Sequence, residues 1–277
     1  MKILITGGNG FVASHLAEKL PKTHEIQVIT REDLDLTNRQ EVEKWFENRY
    51  YDIVIHTAMQ GGRRHIKEEQ DIFFNNLTMY LNLASQQTQY RYLFNFTSGA
   101  DYDKSLPVDG DTSNLYISYP KDYYGLAKNI IARLMRQHIN FYNFRIYGVF
   151  GKNEAEGRFI STSIQNLKEG KDIEIFEDRW FDFLYIDDLI EVLNYYITTI
   201  DSRKEGLPSE LEVVYSEKFK LSNIAQIILD TDNNNKKFEI KSKEEGPSFV
   251  GTQYGIEWLP IKFKGLKKGI KELYDEI

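Results

Sequence analysis

The chain has 277 residues, with 35 Lys+Arg against 42 Asp+Glu and a formal net charge of −7. Its 41% apolar and 28% charged residues are ordinary globular values that exclude general disorder, and the length is ample for a large α/β domain with a smaller satellite. The acidic balance argues against nucleic acid as a partner, and the absence of cysteine excludes disulfides, thiolate catalysis, zinc-thiolate sites and Fe–S clusters. In chain order, Ile3-Leu4-Ile5 predicts a strand, and Phe11 to Leu20 a helix stopped by Pro21. Ile26 to Thr30 reads as a second strand, followed by a helix from Asn38 to Arg49 and a third strand from Asp52 to His56. A long helix from Ile66 to Gln87 precedes the strand Tyr92 to Phe96, and a helix from Tyr119 to His138 precedes the strand Phe141 to Ile146. Short apolar runs spaced by amphipathic helices call for a parallel sheet covered on both faces, the doubly wound α/β pattern.

After Gly151 the alternation becomes irregular, and the polar stretch from Thr231 to Lys237 reads as a solvent-exposed turn. Only the three consecutive apolar residues Ile3-Leu4-Ile5 lead into Thr6-Gly7, too few for a signal-peptide core. No apolar run reaches the ~20 residues of a bilayer span. The expectation is a cytoplasmic protein with no membrane association.

Thr6-Gly7-Gly8-Asn9-Gly10-Phe11-Val12-Ala13 lies directly between the first strand and the first helix. Gly7 permits a tight turn, Gly10 lets backbone approach a pyrophosphate at the helix N-terminus, and Ala13 allows close packing of helix on strand. In that setting the loop predicts dinucleotide binding. The domain reading is therefore a Rossmann-type NAD(P)-binding domain over 1–150, with 183–200 returning to it, and a small C-terminal substrate-binding cap over 151–277. The second strand ends in Thr30-Arg31 instead of an acid. A guanidinium there suits the 2′-phosphate of NADP(H), whereas an acid would favour NAD; the alternative is a solvated strand-end arginine. Asp35 is placed either to touch the adenine or to cap the next helix.

Tyr124 and Lys128 are four residues apart and share one helix face. A neighbouring ammonium favours the phenolate, so Tyr124 is a candidate to exchange a proton with a sugar or alcohol oxygen. Ser98, at the end of the preceding strand, can hydrogen-bond the same oxygen; the alternative is a turn serine in Thr97-Ser98-Gly99. His15, His24, His56, His65 and His138 show no metal-ligand spacing, so no metal is expected.

Thr6-Gly7-x-x-Gly10, Asp52-x-x-x-His56-x-Ala58, Asn76, Ser98, Tyr124-x-x-x-Lys128 and Asp187-Asp188-Leu189 together resemble the extended short-chain dehydrogenase/reductase family acting on nucleotide sugars. Asp33-Leu34-Asp35-Leu36-Thr37 and Gly61-Gly62 are most similar to its GDP-L-fucose synthase-like 4-ketoreductases. The resemblance spans roughly residues 1–200. It implies cofactor contacts at Thr6, Gly7, Asn9, Gly10, Phe11, Val12, Arg31, Asp35, Leu36, Ala58, Asn76, Tyr124 and Lys128. It implies catalysis by Ser98, Tyr124 and Lys128, a nucleotide-diphosphate sugar as substrate, and a homodimer built on the helices carrying Tyr124 and the 66–87 segment.

The departures narrow the chemistry. Two residues beyond the serine, where 4,6-dehydratases carry glutamate and fucose synthases cysteine, this chain has Ala100, and Arg158-Phe159-Ile160 stands where fucose synthases carry the partnering histidine. Dehydration and C3/C5 epimerisation thereby lose their acid–base group, leaving hydride transfer at a carbinol carbon. Gly148 stands at the family's ligand-contacting asparagine and Phe181 at its diphosphate-gripping arginine, so Arg179, Arg158 or Lys152 is expected to supply the charge. In Arg63-Arg64-His65, Arg63 is a further substrate candidate, with a solvated loop as the alternative. The reading is NADPH-dependent C4 keto reduction without epimerisation. Its rivals are an NAD-dependent nucleotide-sugar 4-epimerase and a catalytically silent dinucleotide-binding regulator.

Overall fold

A computed structural model describes residues 1–62, 69–103, 114–117, 119–203, 206–232 and 236–277. The chain runs β1 (Lys2–Thr6), α1 (Phe11–Lys19), β2 (Glu25–Ile29), α2 (Arg39–Phe46), β3 (Tyr51–His56), α3 (Gln70–Ala84) and β4 (Tyr90–Ser98). It continues through the single turn α4 (Asn114–Ile117), then α5 (Tyr123–Met135), β5 (Phe141–Ile146), β6 (Gly148–Phe150), α6 (Phe159–Lys168), β7 (Ile173–Ile175) and β8 (Phe183–Tyr185). It ends with α7 (Ile186–Asp201), β9 (Glu210–Glu212), α8 (Leu221–Thr231), β10 (Phe238–Ile240) and α9 (Leu266–Glu276). Two compact units result: residues 1–103, 114–145 and 194–211 form one, and 146–193 and 212–277 the other. The returning segment is thus 194–211, the second half of α7 with most of β9, where the sequence places it at 183–200.

The first unit is a six-stranded sheet in the order β2-β1-β3-β4-β5-β9, and β1 pairs in parallel with both β2 and β3. The chain passes from β1 outward to β2 and then back to β3, so the order reverses between β1 and β3. A crevice opens outside the carboxyl ends of the strands at such a switch point. The register Thr6↔His56 brings the loops after β1 and β3 to that same edge. On one sheet face Leu4, Val54 and Leu93 are buried with Val42 and Phe46 of α2, Leu83 of α3 and Ile131 of α5. On the other, Phe144 stacks edge-on against Phe94 at 5.3 Å and Tyr196 at 4.9 Å. Both faces are dry, which is why these strands read as unbroken apolar runs instead of alternating.

Capping chemistry sets the helix boundaries. The Asn38 side chain accepts from the Gln40 and Glu41 amides and starts α2, so Asn38, and not Asp35, is its cap. The helix expected from Tyr119 begins instead at Tyr123, because Asp122 caps it through the Gly125 amide at 2.7 Å, after Pro120. For the helix expected from Ile66, the described part begins at Gln70.

The second unit holds the parallel pairs β6–β8 and β7–β10, with α6, α8 and α9 packed around them. Asp188 organises it: one carboxylate oxygen accepts the Lys264 amide at 2.7 Å, the other the Gly265 amide at 3.0 Å and the Tyr215 hydroxyl. The Asp187-Asp188-Leu189 motif therefore has a structural use in this chain, anchoring the entry to α9.

Candidate active site

Gly7 has a left-handed φ of +73°, and a Cβ there would lie 2.8 Å from the Ala58 backbone, so only glycine fits between the β1 and β3 loops. The Gly10 amide donates to the Gly7 carbonyl at 2.7 Å, and Gly10 leads into α1 with no side-chain cap, leaving the first helical amides for an anion. These residues line a cavity of about 270 Å³ together with Thr6, Asn9, Arg31, Asp35, Leu36 and Ala58. Thr6 is turned inward: its hydroxyl meets His56 Nδ1 at 2.9 Å, and the Thr57 hydroxyl donates to its carbonyl at 2.7 Å. Burial, reinforced by the charge of Lys128, pushes the His56 pKa down to about 3, so this imidazole is neutral. Phe11 and Val12 are half-buried at the start of α1.

Asn76 has a structural task. It lies outside the cavity lining, where its side-chain carbonyl accepts the Gln60 amide at 2.8 Å and its side-chain amide donates to the Gln60 carbonyl at 2.9 Å. It clamps the loop that forms the cavity wall. Arg31 and Asp35 meet at the rim, with 3.1 Å between Nη2 and Oδ2. Hydrogen bonds from Thr37, with Arg31 adding, hold the Asp35 carboxyl below the usual range.

The proposed proton-transfer group is also assembled within the first unit. Tyr124 is half-buried in the first turn of α5, and the Lys128 ammonium nitrogen lies 5.7 Å from its ring centroid. Lys128 is itself buried and donates to the Phe96 carbonyl of β4. Burial pushes its pKa down to about 7, with Asp101 opposing, so the permanent ammonium expected from sequence is held close to its neutral form. Ser98 ends β4 as expected, and its Oγ accepts the Ala100 amide at 3.1 Å, capping a short 3-10 turn and leaving its own proton to donate. The turn role and an oxygen-binding role are therefore compatible. Together these groups can hold an oxygen and deliver a proton to it.

Two glycines and a carboxylate around this group have packing tasks that the sequence reading does not assign. A Cβ on Gly125 would sit 2.5 Å from the Ala100 carbonyl oxygen, so glycine lets α5 approach the turn after β4. Gly62, at φ +74°, packs on the phenol ring, where a Cβ would lie 2.9 Å from Tyr124 Cζ. Asp101 is fully buried and accepts from Thr97 Oγ1 at 2.5 Å and from Arg145 Nε at 3.2 Å, while Arg145 Nη2 donates to Glu210 at 2.7 Å. A glycine inside a helical pattern marks the first of these and the Gly61-Gly62 pair marks the second; nothing local marks Asp101.

In the second unit, Gly148 and Phe181 prove to be one packing solution. A Cβ on Gly148 would lie 2.8 Å from Phe183 and 3.0 Å from Phe181, whose ring stacks on Phe183 at 4.6 Å and Phe249 at 5.1 Å. The aromatic that replaces arginine thus fills the space that the absent asparagine side chain vacates. Arg158 lies 3.9 Å from Glu154, whose burial, opposed by a hydrogen bond from Ser161 and by Arg158, pushes its carboxyl up to about 7. Arg179 lies 3.6 Å from Glu177, and its buried Nε has no hydrogen-bond partner among the described residues. Arg63 lies outside the described residues. No group of three or more His, Asp or Glu able to hold a metal occurs among the described residues, and no described helix is long and apolar enough to cross a membrane.

Comparison with known proteins agrees with this architecture. The chain is 24% identical to CDP-abequose synthase of Salmonella muenchen, with 96% of each chain covered. GDP-mannoheptose C4 reductase from Campylobacter jejuni, solved with NADP bound, superimposes with a TM-score of 0.83 at 21% identity, covering 99% of this chain and 97% of that one. dTDP-4-dehydrorhamnose reductase from Bacillus anthracis, in complex with NADP, does so at 0.82 and 19%, with 99% of each chain covered. At these identities the likeness is one of fold, a Rossmann-like sheet flanked by helices. The model of the NAD dependent epimerase/dehydratase family matches residues 3–208, a stretch that takes in the β1–α1 loop, Ser98 and the Tyr124–Lys128 helix. The chain belongs to the NAD dependent epimerase/dehydratase family.

Proposed function

We propose that this chain is an NADPH-dependent reductase of the C4 keto group of a nucleotide-diphosphate sugar, acting without epimerisation at C3 or C5. As a member of its family it is an NAD(P)-dependent oxidoreductase. The observation that carries the finer reading is the grouping of Tyr124, buried Lys128 and Ser98 beside Ala100, a proton donor and an oxygen anchor with a methyl group in the slot of any second acid or base. The cavity fits the cofactor: glycine at 7 and 10 leaves room for a pyrophosphate that side chains would fill, and Arg31 stands where a 2′-phosphate reader is needed. Bound NADPH would supply the hydride.

The protein's own residues do the rest. The Tyr124 hydroxyl gives its proton to the oxygen on C4, and Ser98 Oγ–H donates a hydrogen bond to the same oxygen. Lys128 holds the cofactor ribose and stabilises the phenolate that Tyr124 becomes. Orientation by these groups and proton transfer from Tyr124 supply the acceleration. The second unit grips the nucleotide-sugar diphosphate, with Arg158 and Arg179 as its cations. Exposed Phe74 and Leu81 of α3 and Tyr123 of α5 support a homodimer joined through these helices.

The test is NADPH oxidation against 4-keto-6-deoxy and 4-keto-heptose nucleotides. Tyr124→Phe is expected to lower kcat by about 10³-fold while the Kd for NADPH stays within about twofold. Retained turnover in that variant would refute the assignment. Purified protein carrying tightly held NAD and interconverting C4 epimers would replace it with the 4-epimerase.

A further inference from the structure

We infer that Asp35 sets the cofactor preference of this chain by acting on Arg31, and that it is a positioning residue and not a contact of the cofactor's phosphate. The inference rests on the reading that the cavity after β1 takes NADP(H). The two oxygens of Asp35 divide their work. Oδ1 accepts the Thr37 amide at 2.9 Å and the Thr37 hydroxyl at 2.7 Å, which shapes the loop. Oδ2 accepts from Arg31, Nε at 3.3 Å and Nη2 at 3.1 Å, which occupies one edge of the guanidinium fork. That edge is what a phosphate dianion would take in the bidentate manner.

Among the described residues the carboxylate paired with Arg31 is Asp35. Between Thr30 and Thr37 the sequence carries one cation, Arg31, with the acids Glu32, Asp33 and Asp35. Asp33 is folded back on Thr30, accepting its amide at 2.8 Å and its hydroxyl at 2.9 Å, and Glu41 is engaged with the Asp35 amide at 3.4 Å. Arg31 is 71% exposed, so it can swing. A cofactor whose 2′-phosphate takes the Nε/Nη2 edge draws Arg31 away from Asp35 and then sits near that freed carboxylate. A cofactor with only the ribose hydroxyls need not. The preference for NADPH over NADH is therefore narrower than Arg31 alone would give, and Asp35 is the reason.

Asp35→Asn separates the two tasks, since its side-chain oxygen still accepts from Thr37 while its amide no longer accepts from Arg31. Kd values for NADPH and NADH, from quenching of protein fluorescence, are expected to show NADPH tightening about fivefold and NADH changing less than about twofold. In an Arg31→Gln background the same change should leave the NADPH/NADH ratio unaltered. Asp35→Ser, which keeps an oxygen for Thr37, repeats the test should the asparagine variant fold poorly. An unchanged ratio in the single variant would sink the inference, and so would a shift that persists without Arg31, which would mark direct repulsion of the phosphate. A wild-type chain that binds neither dinucleotide would instead bring down the function proposed above.

Discussion

Arg31 and Asp35 meet at 3.1 Å with their side chains 71% and 29% exposed; Arg145 and Asp101 meet at 3.2 Å with both side chains fully buried. The separations are nearly equal, so distance does not distinguish the pairs. Surroundings do. Water screens the first pair, whose members lose little when parted. The second pair lies in a low-dielectric interior, where a charge depends on its partners, and Thr97 and Glu210 add a hydrogen bond and a second carboxylate to the pair. Even so, burial raises the Asp101 pKa, with Arg145 only partly opposing it. The exposed pair can be traded for a ligand, whereas the buried pair is part of the scaffold that holds the turn after β4 and, through the Asn129 side chain donating to the Asp101 carbonyl at 2.9 Å, helix α5.

Breaking the buried pair should have the largest effect. Arg145→Met removes the cation from buried Asp101, while Glu210 keeps Arg136, and is expected to cost about 3–5 kcal/mol in denaturant unfolding; a loss below about 1 kcal/mol would show that the interior is wetter than the packing implies. Lys128 offers an intermediate case, a buried charge whose anchor is a single carbonyl. Its pKa of about 7 lies below the ordinary lysine value of 10.5. Between those values the unfolded chain holds the extra proton, so stability rises with pH across that window and the deficit is complete below about pH 7. Lys128→Met should therefore abolish turnover yet raise stability at neutral pH by about 2 kcal/mol, after allowing for the Phe96 carbonyl it leaves unpaired, and flatten the slope between pH 7 and 10. A destabilised variant, or an unchanged slope, would place Lys128 in a wetter site than this one. The exposed pair comes last: Arg31→Gln should move the thermal midpoint by the equivalent of less than about 0.5 kcal/mol, and a larger shift would mean that the loop depends on it for its shape.

Much of this was legible because it is local. The alternation of apolar runs and amphipathic helices predicts the parallel sheet, and the glycine spacing between β1 and α1 predicts the turn at Gly7. The four-residue separation of Tyr124 and Lys128 places them on one helix face. The misjudged start of α5 was also local, moved to Tyr123 by Pro120 and Asp122, whereas α2 starts at Asn38 as expected, and Asn38 takes the cap that was one of two tasks open to Asp35.

What the chain order cannot supply is environment. The interior around Lys128 is built from Phe96 and Asp101, 32 and 27 positions away, and its near-neutral amine follows from that burial and not from its own neighbours in sequence. Asn76 carries a motif's residue type, but its partner is the Gln60 backbone, so its task became visible only when the loop after β3 was placed beside α3. Gly148 and Phe181 each look like a lost contact until packing shows one filling the other's space. Backbone geometry and side-chain spacing are properties of a short stretch of chain. Desolvation, partner choice and steric fit depend on which distant segments the fold brings within a few ångströms.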